Sequence, residues 1–205
     1  MLAAMPDVLS ALVSLSRRAH ALGLVQATSG NFSARLGEDR FAISASGLDK
    51  GALRESDFVV VDLALNVVDP TAGARPSAEA ALHAALYRLR PDAGAIAHTH
   101  SIAATVVSRR TRGDEVALEG YELAKALSGI TTHDEVVRLP ILENSQDMHA
   151  VAAAATALGA RVRHGLLLRG HGLYALGADA SEAGRHMEAL EHLLTCALHE
   201  TASVG

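Results

Sequence analysis

The sequence predicts an α/β fold in which helices cover a sheet on both sides, and three observations carry that prediction. Apolar runs of strand length recur along the chain, segments of helical apolar spacing alternate with them, and no linker, internal repeat or low-complexity tract interrupts the pattern. The 205 residues are 49% hydrophobic, enough for a sizeable core, and at this length a single domain over 1–205 is expected. Only 3% are aromatic and none is tryptophan, so Ala, Leu and Val must fill that core by close packing of helix on sheet.

Leu2, Met5, Val8, Leu9, Leu12, Val13 and Leu15 recur at helical spacing and predict an amphipathic helix that ends near Gly23. The segment Ala27-Thr28-Ser29-Gly30-Asn31 and onward to Arg35 reads as a glycine-bearing turn. Phe41–Ser44 and Phe58–Asp62 read as strands, with Ser44-Ala45-Ser46-Gly47 looping after the first. Ser77 is the expected N-cap of a helix with apolar positions Ala81, Leu82, Ala85, Leu86 and Leu89, ended by Pro91. A buried strand over 93–100 follows, then a short helix capped by Ser101 and running to Arg109, and a second helical pattern from Tyr121 to Leu127. Residues Val136 to Leu142 look extended, and Asp147 to Leu158 is an alanine-rich helix. Strand 166–168 should pair with 173–176, and Ser181 should cap a final helix that carries Met187, Leu190, Leu194 and Leu198.

Charge and cysteine content exclude several classes of function. A formal net charge of −5, with no basic run longer than a pair, lacks the footprint of a nucleic-acid groove or a membrane patch. No apolar run approaches the roughly 20 residues of a membrane span. The single cysteine, Cys196, rules out an intrachain disulfide, and the amino terminus has no basic segment ahead of an apolar stretch, so a cytoplasmic setting and a small-molecule partner are expected.

The candidate chemistry lies in His98-Thr99-His100 and Arg169-Gly170-His171-Gly172. Residues two apart on a strand share a face, so the first motif delivers two imidazoles into one pocket. Gly170 and Gly172 leave room beside a third. Three neutral nitrogens hold a divalent metal with a coordination position open, which suits catalysis; structural zinc sites are closed by four ligands and rich in cysteine. Zinc is preferred, although Fe²⁺, Co²⁺ or Mn²⁺ would accept the same shell. Most of the 11 histidines are ordinary: His20, His149, His164, His192 and His199 sit in or beside polar helical stretches. Gly30 with Asn31, Ser46 with Gly47 and Lys50, and Ser77 form three loops suited to an anion. Glu79 and Glu122 are the carboxylates placed for proton transfer beside a metal-bound ketone, and without a metal they would be a helix-dipole partner and an i,i+3 partner of Lys125.

Over nearly its full length the chain resembles the class II aldolase and adducin family. The motifs that carry this are Ser29-Gly30-Asn31-Phe32-Ser33, Ser44-Ala45-Ser46-Gly47, Pro76-Ser77-Ala78-Glu79, His98-Thr99-His100-Ser101 and Gly170-His171-Gly172. The resemblance implies a three-layer α/β/α domain with a central, mostly antiparallel sheet, a homotetramer with sites at subunit boundaries, and one Zn²⁺ per subunit on His98, His100 and His171. It matches Gly30, Asn31, Ser46, Gly47 and Ser77 to phosphate-binding positions, with Ala78 where the aldolases often carry a second serine and Lys50 as the replacement contact.

Three closer motifs, Ser46 to Gly51, Gly120 to Leu127 and Leu139 to Asp147, resemble the dehydratase branch of the family, as does Arg169 to Tyr174. That branch implies dehydration of 5-methylthioribulose 1-phosphate in methionine salvage, with Glu122 as acid/base; Glu79 matches the acid/base of the aldolases. The alternative is a metal-dependent sugar-phosphate aldolase or epimerase of the fuculose or ribulose-phosphate type; a non-catalytic adducin-like module ranks low, and a purely structural zinc site, lacking cysteine ligands, lower still.

Overall fold

The computed structural model describes residues 5–68 and 75–202. Leu2, the first position in the amino-terminal helical pattern, lies outside them. Eight strands form one sheet, β1 (Asn31–Arg35), β2 (Arg40–Ser44), β3 (Phe58–Asp62), β4 (Ala95–Thr99), β5 (Glu115–Leu118), β6 (Val137–Leu142), β7 (Gly165–Leu168) and β8 (Gly172–Gly177), in the order β3-β2-β1-β4-β8-β7-β6-β5. Every neighbouring pair is antiparallel except β6 and β7. Five helices flank it: α1 (Met5–Ala21), α2 (Ala80–Leu89), α3 (Ile102–Arg110), α4 (Met148–Ala157) and α5 (Ala180–Ala202). Among the described residues no helix is long and apolar enough to cross a membrane.

Alternation along the strands divides the core in two. Phe32, Ala97, Leu173 and Ala175 face a cluster with α1, α3 and α5 residues such as Leu12, Val107, Met187 and Leu190. Phe41, Ile96, Leu166, Leu168 and Tyr174 face the other side, against Leu82 and Leu86 of α2 and Val151 and Ala155 of α4. Each leucine fully removed from water contributes about 2 kcal/mol, so either helix layer is held by several such contacts. The layers are those of an α/β/α sandwich, as expected.

The boundaries follow local chemistry. α1 ends where Gly23, at φ +70°, lets Leu24 N–H reach the Ala19 carbonyl at 3.0 Å and its own N–H reach His20 at 2.9 Å, a Schellman closure. Asp147 caps α4 through the amides of His149 and Ala150, and Ser101 caps α3 through that of Ala104.

Several expectations are corrected. α2 begins at Ala80 rather than at Ser77, and Glu79 occupies its N-cap position without capping because its carboxylate is drawn into the site described below. Ser77 instead takes the Glu79 N–H on its hydroxyl and the Ala80 N–H on its carbonyl. Ser181 lies inside α5; the Asp179 carboxylate accepts the Glu182 amide in its place. The segment after Tyr121 is a 3₁₀ turn over Glu122–Ala126, not an α-helix, and follows Gly120 at φ +79°. Asn31 to Arg35 is strand β1, not a turn, and Glu115 to Leu118 adds edge strand β5.

Candidate metal centre

β4 and the tight β7–β8 connection lie side by side, with Thr99 of β4 in register with Leu173 of β8. His98 therefore points to the α2 side of the sheet, like Ile96, and His100 follows it one residue past the strand. His171 sits in the two-strand turn that Gly170 makes at φ +67°. A side chain at Gly172 would press on the Thr99 carbonyl and come 3.1 Å from His98 Cε1, so glycine permits the approach of the two ligand-bearing segments.

The three Nε2 atoms converge, His98 to His100 at 2.8 Å and His100 to His171 at 3.2 Å. Glu79 adds the fourth corner, with Oε2 3.1 Å from His98 Nε2 and Oε1 3.2 Å from His171 Nε2. All four ligand atoms lie within 4.8 Å of one another. A tetrahedron with metal–nitrogen bonds of about 2.05 Å has edges of about 3.3 Å, close to these separations.

The remaining contacts orient these groups. His98 Nδ1 donates to the Leu173 carbonyl at 2.9 Å, and His171 Nδ1 lies 3.2 Å from Asn144 Oδ1, which leaves each Nε2 lone pair facing inward. Tyr174 stacks on the His98 ring at 4.0 Å between centroids and donates its hydroxyl to Glu79 Oε2 at 2.6 Å. Asn31 Nδ2 donates to the same oxygen at 2.7 Å. Burial lowers His98 to about 4 and His100 to about 3, so both rings are neutral at pH 7, as ligands must be. Burial pushes the Glu79 carboxyl up, but its close neighbours His98 and His171 and hydrogen bonds from Tyr174 and Asn31 outweigh it and hold the group far below the ordinary carboxylate range. Burial and the charge of Glu79 push the Tyr174 phenol well up, keeping it a donor. Three imidazole nitrogens and a carboxylate oxygen that converge this closely are a donor set that fits a divalent cation.

The expected phosphate loops gather around the same end of the sheet. Ser46 N–H donates to the Arg75 carbonyl at 3.0 Å and Ala45 bridges Pro76, which brings the Ser46–Gly47 loop beside Ser77. Lys50 is buried, and Nζ donates to the Thr28 carbonyl at 2.9 Å and the Leu48 carbonyl at 2.6 Å, tying that loop to the one before Gly30. Burial lowers its pKa. Ser46 and Gly47 are exposed, and Gly30 packs under Val25 and the His98 carbonyl. Two buried polar atoms on the Thr28 to Asn31 segment, Ser29 Oγ and Asn31 Oδ1, have no protein partner.

Glu122 is not brought to this cluster within the chain. It is exposed and pairs with Lys125 and, at 3.8 Å, with His133. The hydrogen bond from Lys125 lowers its pKa. Two contributors to the site carried no sequence expectation of their own: Tyr174, whose signal is an aromatic hydroxyl three residues after His171 in an apolar strand, and the Leu173 carbonyl, which has none.

The model of the class II aldolase and adducin N-terminal domain matches residues 10–198. The chain belongs to this family. It is 50% identical over 201 residues to a methylthioribulose-1-phosphate dehydratase from Sorangium cellulosum, an alignment that covers 97% of this chain and 94% of the relative. A Pectobacterium atrosepticum protein of the same name is 47% identical, with 93% of each chain covered. Among solved structures, L-fuculose-1-phosphate aldolase from Thermus thermophilus superposes with a TM-score of 0.78 at 25% identity, covering 98% of this chain and 99% of that one.

Proposed function

We propose that this chain is a zinc-dependent dehydratase that converts 5-methylthioribulose 1-phosphate to 5-methylthio-2,3-dioxopentyl phosphate in methionine salvage. The observation that carries the reading is the match, over nearly the whole of both chains, to dehydratases of that name at 50% and 47% identity. The convergence of three imidazoles and a carboxylate supplies its chemical basis.

His98, His100 and His171 would hold the ion, with the Glu79 carboxylate beside them. Bound there, zinc would supply Lewis acidity toward the C2 carbonyl and C3 hydroxyl oxygens and so acidify the C3–H bond. Glu122 takes the C3 proton; either it or Glu79 returns a proton to the C4 hydroxyl, which leaves as water. The resulting enol tautomerises to the 2,3-diketone. Because Glu122 is exposed on its own chain, it serves the site of a neighbouring copy in a homotetramer. Gly30, Asn31, Ser46, Gly47, Lys50 and Ser77 grip the phosphate so that the reacting carbons stay within reach of metal and carboxylate. The unpartnered Ser29 and Asn31 oxygens support a polar ligand at that loop. One domain spanning 1–205 and a cytoplasmic location complete the reading.

The second reading, a sugar-phosphate aldolase or epimerase, is favoured by the carboxylate of Glu79 beside the three histidines and by the likeness to the fuculose-phosphate enzyme. The test is to incubate zinc-loaded protein with 5-methylthioribulose 1-phosphate and weigh the product. Loss of one water supports dehydration, and cleavage into two fragments replaces it with aldol chemistry. Glu122→Ala should leave the thermal midpoint within about 2 °C of wild type and lower turnover by roughly a hundredfold or more; undiminished turnover would remove Glu122 from the mechanism.

A further inference from the structure

Glu191 lies on α5, 4% exposed, on the face of the sheet opposite the metal centre. The Thr99 hydroxyl donates to its Oε1. Oε2 is buried with no partner. Leaving a carboxyl oxygen unsatisfied in an apolar layer is costly. A leucine in its place would extend the apolar stripe of Met187, Leu190 and Leu194.

The hydroxyl that meets Glu191 belongs to the residue immediately before His100. That ligand differs from its two partners. His98 and His171 each have an Nδ1 contact that sets the ring, whereas none is found for His100 among the described residues. His100 also lies beyond the last residue of β4, where ladder bonds no longer fix the backbone, and its N–H is donated to the Leu24 carbonyl at 2.8 Å. Alternation along the strand sends Thr99 to the α5 side while His98 and His100 go to the other. Ser101 in turn caps α3 through the Ala104 amide at 2.9 Å, so its side chain is itself held in place.

We propose that Glu191 is the positioning residue of His100: its carboxyl holds Thr99 from behind the sheet and so fixes the backbone that aims the third imidazole at the metal. It touches neither metal nor substrate. The inference rests on the metal centre proposed above and is independent of which reaction that centre performs.

Zinc affinity, measured on the folded protein by competition with a chromophoric chelator, separates this role from simple support of the core. Glu191→Leu should bind zinc about 10- to 100-fold more weakly, the usual cost of losing a group that orients a ligand. Glu191→Gln, whose amide oxygen still accepts from Thr99, should stay within about threefold of wild type. If Glu191→Leu does not fold, Thr99→Val, which deletes only the hydroxyl, should show the same direction of loss and Thr99→Ser should restore binding. Wild-type affinity in a folded Glu191→Leu or Thr99→Val would overturn the assignment while leaving the metal centre standing. A wild-type chain that takes up no zinc would remove both.

Discussion

Two groups of histidines lie in this molecule, and they put similar rings to opposite uses. His98, His100 and His171 meet at one end of the sheet, while His164 and His186 form a T-shaped pair at 5.2 Å elsewhere. In the second group every interaction ends on the protein. His164 Nε2 donates to the Ser128 carbonyl at 2.8 Å, His186 Nδ1 donates to the Leu176 carbonyl at 2.6 Å, and His186 Nε2 accepts the Ser128 N–H at 3.0 Å. In the first group the Nε2 lone pairs face one another and a carboxylate. Burial alone does not decide the matter, since His98 is as buried as His164 and His186 while His100 and His171 are only partly so. The direction of the lone pairs does.

The sharpest way to break this contrast is to delete one ring from each group. His171→Ala should abolish stoichiometric zinc uptake and lower turnover about a thousandfold, because a metal ion supplies several kcal/mol of transition-state stabilisation. His186→Ala should take up zinc normally and instead lose about 1–3 kcal/mol of stability in chemical denaturation, the cost of stranding the Ser128 amide and the Leu176 carbonyl. Equal zinc loss in both variants would erase the distinction.

Acid should expose what the groups share. Burial lowers His83 to about 3, His98 to about 4, His100 to about 3 and His164 to about 4, against about 6.5 in the unfolded chain. A base whose folded pKa is depressed is neutral in the fold, and unfolding takes up the proton. The stability it contributes is complete above about pH 6.5 and is lost as pH falls toward 3–4. The thermal midpoint of zinc-free protein should therefore decline steadily from pH 7 to pH 4, and the increment given by zinc should shrink over the same interval as protons compete for Nε2. A midpoint that stays flat between pH 7 and pH 5 would contradict the neutral assignments.

Periodicity made most of the helices and the central strands legible, and the spacing of His98 with His100 anticipated the shared face. β1 was hidden because Asn31 and Ser33 read as turn residues. Their polarity is matched only by partners far along the chain, where Asn31 Nδ2 meets Glu79 and Ser33 Oγ meets His83 Nδ1 at 2.7 Å and the Tyr87 hydroxyl at 2.8 Å on α2. β5 carried a visible signal, since Val116 and Leu118 alternate inward with Glu115 and Ala117. Ser77 misplaced the start of α2 because a residue that caps well is indistinguishable, without tertiary contacts, from one that precedes a carboxylate recruited elsewhere. Glu191 was legible in retrospect: a carboxylate four residues after Met187 and three before Leu194 stands on the apolar face of its helix. Glu122 shows the converse limit. Its neighbours on this chain are Lys125 and His133, and the fold leaves it exposed and away from the three histidines.

The place of Glu79, His98, His100 and His171 along the chain has a consequence for folding. The first and last of these are about 90 residues apart, and His100 and His171 about 70. An ion shared among them joins the start of α2, the end of β4 and the β7–β8 turn into a closed ring of polypeptide that spans β5, β6 and α4. Closing loops of that size restricts the unfolded chain by an amount that grows only slowly with length and amounts to roughly 4 kcal/mol for a covalent link. In a protein whose single cysteine precludes an internal disulfide, the catalytic ion would thus double as a reversible staple, and loss of metal would loosen the outer half of the sheet as well as silence the site.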